Sequence, residues 1–163
     1  KFKIGIAFLM TTRGIPMIYY GTEILMKNFA DPDGKVREDF PGGWKDDPAN
    51  KFVRTGRSDT ENEAYDFIKR LTTWRKETPV VQTGKLTQFV PEKGVYVYFR
   101  HNEDRKVMII LNTCTDERTL SMKKFAAQFG NIANAADVLT GKKLEISGQI
   151  SLKGYSLLIL ELK

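Results

Sequence analysis

The sequence predicts two regions of different class: an α/β step within residues 1–79 and an antiparallel β-sandwich or barrel over residues 80–163. Three observations predict this. A helical apolar stretch ends in a glycine and is followed at once by a short, continuous apolar run. A capped amphipathic helix closes the first region just before Pro79. Beyond residue 80 the hydrophobic period falls to two, with turn residues every few positions.

Residues 2–13 read as a helix that Gly14 stops from the position of a C-terminal cap. Its apolar residues fall on nearly every side, which predicts a buried helix surrounded by other elements. The chain thus begins as though inside a domain, and an upstream part is expected. Ile15-Pro16-Met17-Ile18-Tyr19-Tyr20 then reads as a strand buried on both faces, as in a parallel sheet, with Tyr19 and Tyr20 in its core. Residues 24–59 form a long irregular loop. It holds Pro32, Pro41 and Pro48, the turn signals Asp31-Pro32-Asp33-Gly34 and Pro41-Gly42-Gly43, and the aromatics Phe29, Phe40, Trp44 and Phe52. Thr60-Glu61-Asn62-Glu63 fits a capping box, with Thr60 at the cap and Glu63 reaching back. Ala64, Phe67, Ile68, Leu71 and Trp74 then lay one apolar stripe along the helix.

Eight strands follow: 86–90, 95–100, 107–112, 118–122, 136–139, 143–146, 149–152 and 155–162. Gly94, His101-Asn102-Glu103-Asp104, Gly141, Gly148 and Gly154 punctuate them. Residues 126–134 interrupt the pattern as a helix or loop. The second region is large enough to fold alone.

Composition narrows the function classes. The 163 residues are 41% hydrophobic and 28% charged, the balance of a globular chain. The longest purely apolar runs are far shorter than the roughly 20 residues of a membrane helix, so no membrane insertion is expected. One cysteine, Cys114, allows no intrachain disulfide, and one histidine, His101, leaves no His cluster. Neither metal nor cofactor is expected. The net charge of +6 divides into +2 (14 basic, 12 acidic) over residues 1–79 and +4 (12 basic, 8 acidic) over residues 80–163. Basic residues never run beyond adjacent pairs, which argues against a nucleic-acid partner. A single cysteine suits periplasm and cytoplasm alike, so the compartment stays open.

Several residues are candidates for chemistry. Glu23 follows the expected buried strand, at the end where α/β active sites gather; a loop salt bridge or a capping role is the competing reading. Asp33 and Arg37, four apart, can present an acceptor and donors to vicinal sugar hydroxyls, against the alternative of an exposed ion pair. Trp44, beside two glycines in a polar loop, is the best surface aromatic. Tyr96 and Tyr98 share a strand face; a sugar-stacking platform and burial beneath a helix or loop are both open. His101 reads as a solvated turn residue and Cys114 as an inert small side chain. Asp31-x-Asp33-Gly34 is not an EF-hand, because the glycine falls at position four and position twelve is not Glu.

Gly14-Ile15-Pro16-Met17-Ile18-Tyr19-Tyr20-Gly21-Thr22-Glu23 resembles the eighth-strand signature of the α-amylase superfamily, glycoside hydrolase family 13. Asp33-Gly34-Lys35-Val36-Arg37 is similar to the family's Asp-x-x-x-Arg, and Trp74-Arg75-Lys76 to its helix ending. Asp39-Phe40-Pro41-Gly42-Gly43-Trp44 looks most similar to neopullulanase and cyclomaltodextrinase types. The resemblance implies that residues 1–79 are the last strand and helices of a TIM barrel and that residues 80–163 are the β-sandwich domain C. It implies an α-glucan oligosaccharide bound through Asp33, Arg37 and Trp44, with Tyr20 and Glu23 supporting the site. It also implies an upstream barrel portion of the same protein as partner. The family's three catalytic carboxylates belong to earlier strands, so no catalytic residue is assigned here. The chain by itself is expected to be inactive. A glucan-binding or purely structural β-sandwich module is the alternative.

Overall fold

Val95, Val97 and Phe99 alternate with Tyr96, Tyr98 and Arg100, and each set needs its own cover. That requirement organises the larger part of the molecule. The computed structural model describes residues 1–163. In order, the elements are α1 (Phe2–Thr11), α2 (Asp59–Glu77), α3 (Pro79–Thr83), β1 (Lys85–Gln88), β2 (Val95–His101), β3 (Lys106–Asn112), β4 (Arg118–Ser121), α4 (Ala126–Phe129), β5 (Asn134–Asp137), β6 (Lys143–Glu145), β7 (Gln149–Leu152) and β8 (Ser156–Leu162). The chain forms two compact units. One comprises Lys1–Ile15 with Leu71–Lys163, the other Pro16–Arg70.

The first unit is built on a six-stranded antiparallel sheet, ordered β1-β2-β3-β8-β5-β6, and a two-stranded sheet of β4 and β7. All eight expected strands are present, with ends shifted by a residue or two. The register aligns Phe99, Met108 and Leu160 across β2, β3 and β8. With Val97, Ile110 and Leu162 they form one face of the sheet, packed with Met122, Phe125, Phe129, Ile150 and Leu152. This is the sandwich core: two apolar faces closed on each other.

The opposite face carries the row Tyr98, Ile109 and Ile159. Helix α1 covers it, burying Ile4, Ala7, Met10 and Thr11 and contacting β8. Phe8 packs edge-on to Tyr98 at 6.2 Å. The Thr11 hydroxyl lies 2.5 Å from the Tyr98 hydroxyl. Burial pushes the Tyr98 phenol well above its ordinary pKa.

Two arginines fix the C-terminal end of α1. Arg100, 1% exposed, donates to the carbonyls of Thr11 (3.1 Å), Thr12 (2.7 Å) and Gly84 (2.9 Å). Arg75 donates to Met10 (2.6 Å), Val81 (3.1 Å) and Gly14 (3.1 Å). A helix leaves its last carbonyls without intrahelical partners, and its C-terminal end favours cations. The guanidinium forks meet both needs. Trp74 on α2 donates its indole N–H to Glu161 on β8 at 2.8 Å. Asn112, buried at the end of β3, donates to the carbonyls of Asp116 (3.0 Å) and Lys153 (2.9 Å) and accepts from the Cys114 N–H (3.1 Å).

Four sequence expectations are corrected. No strand forms at Ile15–Tyr20; Ile15 and Met17 are 98% and 84% exposed, and Tyr19 and Tyr20 lie outside any core. A strand needs partners, and every ladder in this structure lies between residues 85 and 162. The capping box sits two residues earlier than expected: the Ser58 N–H donates to Glu61 Oε2 (2.7 Å) and the Glu61 N–H to Ser58 Oγ (3.3 Å). Glu61 is held there by Lys51 at 2.6 Å, a partner the local pattern does not contain. His101 ends β2 rather than lying in the turn, with Nε2 2.9 Å from Thr87 Oγ1. Burial, then Lys106, Lys85 and Arg100, lower its pKa. Finally, Pro79–Thr83 is a short helix, with proline in its first turn where the missing N–H costs nothing.

Replacing Arg100 with Met should lower stability by about 2–4 kcal/mol, because buried carbonyls lose a charged donor. Urea unfolding of the two proteins measures this. A midpoint unchanged from wild type would show that the clamp contributes nothing.

Candidate functional site

The second unit, Pro16–Arg70, holds Tyr20, Glu23, Asp33, Arg37 and Trp44. It is mostly irregular, so side-chain hydrogen bonds replace ladders in holding its shape. Gly21 begins the turn Thr22–Ile24 with φ of +82°, and a Cβ there would meet the Met26 sulfur at 2.4 Å. Glu23 lies half-buried in that turn.

Tyr19 and Tyr20 stack with ring centroids 4.6 Å apart. The Tyr20 hydroxyl donates to the Glu38 carbonyl at 2.9 Å. Its pKa is raised by desolvation first, then by the Tyr19 phenol and the negative charge of Asp39, with Arg37 opposing. Glu38 in turn accepts from the Asn28 side-chain amide at 2.8 Å. These residues border a cleft of about 270 Å³ lined also by Thr22, Met26 and Val36.

Asp33 opens the turn Asp33–Val36, and its carboxylate pairs with Arg37 at 2.8 Å. Both side chains are about two-thirds exposed (66% and 64%), so the pair contributes little to stability and its polar atoms stay open to solvent. Asp39 is two residues further on. Its Oδ2 accepts the Trp44 indole N–H at 2.9 Å. Two side-chain pairs, Asp33 with Arg37 and Asp39 with Trp44, thus lie within residues 33–44. Trp44 is 68% exposed.

The backbone under Trp44 is fixed by Asp47. Its Oδ2 accepts the N–H of Gly42 (2.6 Å) and of Trp44 (2.9 Å). These backbone donors hold the Asp47 carboxyl below its ordinary pKa, Trp44 contributing most and Gly42 next. Gly42 has φ of +110°, and a Cβ there would lie 2.7 Å from the Asn50 Cα. Phe40 and Phe52 pack at 4.5 Å, and the Lys51 N–H donates to the Pro41 carbonyl at 2.9 Å. Arg57 closes the loop. It donates to the Lys51 carbonyl (3.0 Å) and Asn62 Oδ1 (2.9 Å), and lies over the Tyr65 ring at 3.9 Å.

Asp39 and Asp47 were not singled out as site residues in the sequence. Their available signal was the Asp39-Phe40-Pro41-Gly42-Gly43-Trp44 string followed by an acidic pair, but a carboxylate aimed at backbone N–H groups is visible only in three dimensions. Tyr98, a candidate stacking residue, is 1% exposed and gives no face to a ligand. Tyr96 is half-buried and donates to Gln88 at 2.6 Å. Cys114 is half-buried against the Lys93 carbonyl. No group of three or more His, Cys, Asp or Glu side chains is placed to hold a metal ion. No helix is long and apolar enough to cross a membrane.

The chain is similar to several known proteins. Residues 86–161 match the family of cyclo-malto-dextrinase C-terminal domains. The cyclomaltodextrin glucanotransferase of Klebsiella oxytoca is 34% identical over 131 residues, covering 80% of this chain and 18% of that protein. The chain belongs to the α-amylase superfamily. Neopullulanase 2 of Thermoactinomyces vulgaris is 27% identical to this α-amylase-family chain over 125 residues, covering 76% of it and 19% of the relative. An α-amylase from Geobacillus thermoleovorans, solved with acarbose, shares the fold at a TM-score of 0.75 and 23% identity, over 99% of this chain and 33% of that one. The chain spans about a fifth of the length of these curated relatives. The antiparallel sheets of this family member match the C-terminal β-sandwich domain of the superfamily.

Lys51 and then the Ser58 N–H depress the Glu61 pKa. Its contribution to stability is therefore complete above the ordinary carboxylate range and fades as pH falls through the depressed value. Glu61→Gln should cost about 1 kcal/mol at pH 7. The difference from wild type, read by urea unfolding at pH 7, 4 and 3, should shrink toward acid. A difference independent of pH would show that the charge on Glu61 is irrelevant.

Proposed function

We propose that the chain is the C-terminal part of an enzyme that hydrolyses α-1,4 links in α-glucans with retention. Residues 1–79 would supply the last strand and helices of a (β/α)8 barrel, with loop 24–59, and residues 80–163 its domain C. The observation that carries this reading is the exposed apolar segment Ile15-Pro16-Met17-Ile18-Tyr19-Tyr20, bounded by Gly14 and Gly21. Its composition is that of a strand covered on both faces, and its exposure leaves a ladder and two apolar faces for neighbouring barrel strands to complete.

On this reading Asp33, Arg37 and Trp44 bind a glucose unit, and Tyr20 and Glu23 hold the rim beneath them. The Asp33–Arg37 pair offers carboxylate acceptors and guanidinium donors to adjacent hydroxyls, and the Trp44 indole offers an apolar face to the ring. Retaining hydrolysis needs two carboxyl groups roughly 5–5.5 Å apart across the scissile bond. None of this chain's carboxylates is assigned that role, so the isolated chain binds without turning over.

The alternative is a glucan-binding module, for which the exposure of Trp44 speaks. The burial of Tyr98 speaks against a platform on the sandwich. Hydrolysis of a cyclodextrin and of pullulan by the purified 163-residue chain tests the proposal. No turnover is expected, and turnover would overturn the proposal.

Arg37→Ala should weaken maltoheptaose binding about tenfold, the value of one charged hydrogen-bonding group. It should change stability by no more than about 0.5 kcal/mol, since the pair is exposed. Calorimetric titration and urea unfolding give the two numbers. Unchanged affinity would remove Arg37 from the site.

A further inference from the structure

Trp44 is a large apolar side chain that the fold leaves exposed and yet fixes at two points. Asp39 holds the indole N–H at 2.9 Å, and Asp47 holds the backbone N–H of the same residue at 2.9 Å while also gathering Gly42 at 2.6 Å. A surface tryptophan with no task is ordinarily left to its rotamers. Here one carboxylate sets where the ring begins and another sets how it is turned. Gly42, at φ of +110° with a would-be Cβ 2.7 Å from the Asn50 Cα, is a position where any other residue would be strained.

Stacking a sugar on an aromatic ring is strongest when the ring is immobilised beforehand, because ordering it on binding costs affinity. The Asp39 carboxylate has a second oxygen beside the one that accepts the indole N–H. An ionised carboxylate accepts hydrogen bonds only, and a sugar hydroxyl is a matching donor. Asp39 is two residues from Arg37 in the chain, and Arg37 pairs with Asp33 at 2.8 Å.

We propose that Asp39 is itself a glucan-contacting residue, accepting from a hydroxyl of the glucosyl ring stacked on Trp44, and that Asp47 is the positioning residue that holds this platform ready. The inference rests on the glucan-binding reading of Trp44 given above. Asp39 has two tasks, orienting the indole and meeting the sugar. Asp47 has one, and acts only through the backbone.

The test uses the full chain. Its two tryptophans are Trp44 and Trp74, so Trp74→Phe leaves Trp44 as the only indole. If that variant fails to fold, the wild-type spectrum minus that of Trp44→Phe isolates the same signal. Without ligand, Asp39→Ala and Asp47→Ala should lower the near-ultraviolet ellipticity of Trp44 and raise its quenching by acrylamide. Asp47→Asn, which keeps one acceptor oxygen, should restore much of the signal. With maltoheptaose as probe, Asp39→Ala should weaken binding about tenfold or more and Asp47→Ala about threefold to tenfold. Asp39→Asn, which can still orient the indole through its amide oxygen, should recover the ligand-free spectrum but not the affinity. Wild-type affinity in both alanine variants would overturn the inference and leave the glucan reading standing. An indole signal unmoved by either variant would also overturn it. If the alanine variants change the indole signal but no protein, wild type included, responds to maltoheptaose, the glucan contact of Asp39 is overturned together with the reading it rests on, and only the positioning survives.

Discussion

A sheet whose central strands are apolar on both faces has to be covered twice, and the architecture of the first unit follows from that constraint. Strands β3 and β8 place Met108, Ile110 and Leu160 on one side and Ile109 and Ile159 on the other, all of them out of solvent. The β4–β7 pair and the residues around α4 meet the first need. Helix α1 meets the second, although some 145 residues of chain separate Thr11 at its end from Ser156 at the start of β8, the strand it touches. Such a distant cover has to be locked. Arg100 and Arg75 lock it by donating to the carbonyls that the helix cannot satisfy itself. Aligning a cation with the negative end of a helix is favourable, and removing it would leave carbonyls buried without partners.

The second unit solves a different problem. With no ladder, it depends on short side-chain bonds to a backbone rich in glycine and proline. The same carboxylate chemistry serves three ends: Glu61 starts a helix, Asp47 gathers loop N–H groups, and Asp39 orients an indole. The result is a loop that is irregular in dihedral angles and still specific in shape. That combination is what the proposed glucan site would require.

Much of this was legible in the sequence. Period-two alternation found all eight strands, because each strand's pattern reflects a half-buried surface that is local to it. The apolar stripe from Ala64 to Trp74 found α2, and proline at 79 marked its end. What was not legible depended on partners distant in sequence. Ile15–Tyr20 has the composition of a strand, but composition cannot provide the neighbour that makes one. Thr60 and Ser58 each stand three residues before a Glu, and the structure uses Ser58 with Glu61, which Lys51 also holds. Tyr96 and Tyr98 look alike on one strand, yet Thr11 meets only the second. Within the proposed site, Asp33 and Arg37 were suggested by resemblance, their spacing alone being that of an exposed ion pair, whereas Asp39 and Asp47 became visible through what their oxygens touch.

The two kinds of arginine contact also differ in how far the solvent reaches them. Arg100 acts on neutral carbonyls from a buried position, where dissolved ions have little access. Arg37 faces Asp33 across open solvent, where the screening length is roughly 8 Å at physiological ionic strength. Raising salt therefore loosens Arg37 from Asp33 while leaving the seat of α1 as it was. The framework is indifferent to the ionic medium, and the loop that faces outward is tuned by it.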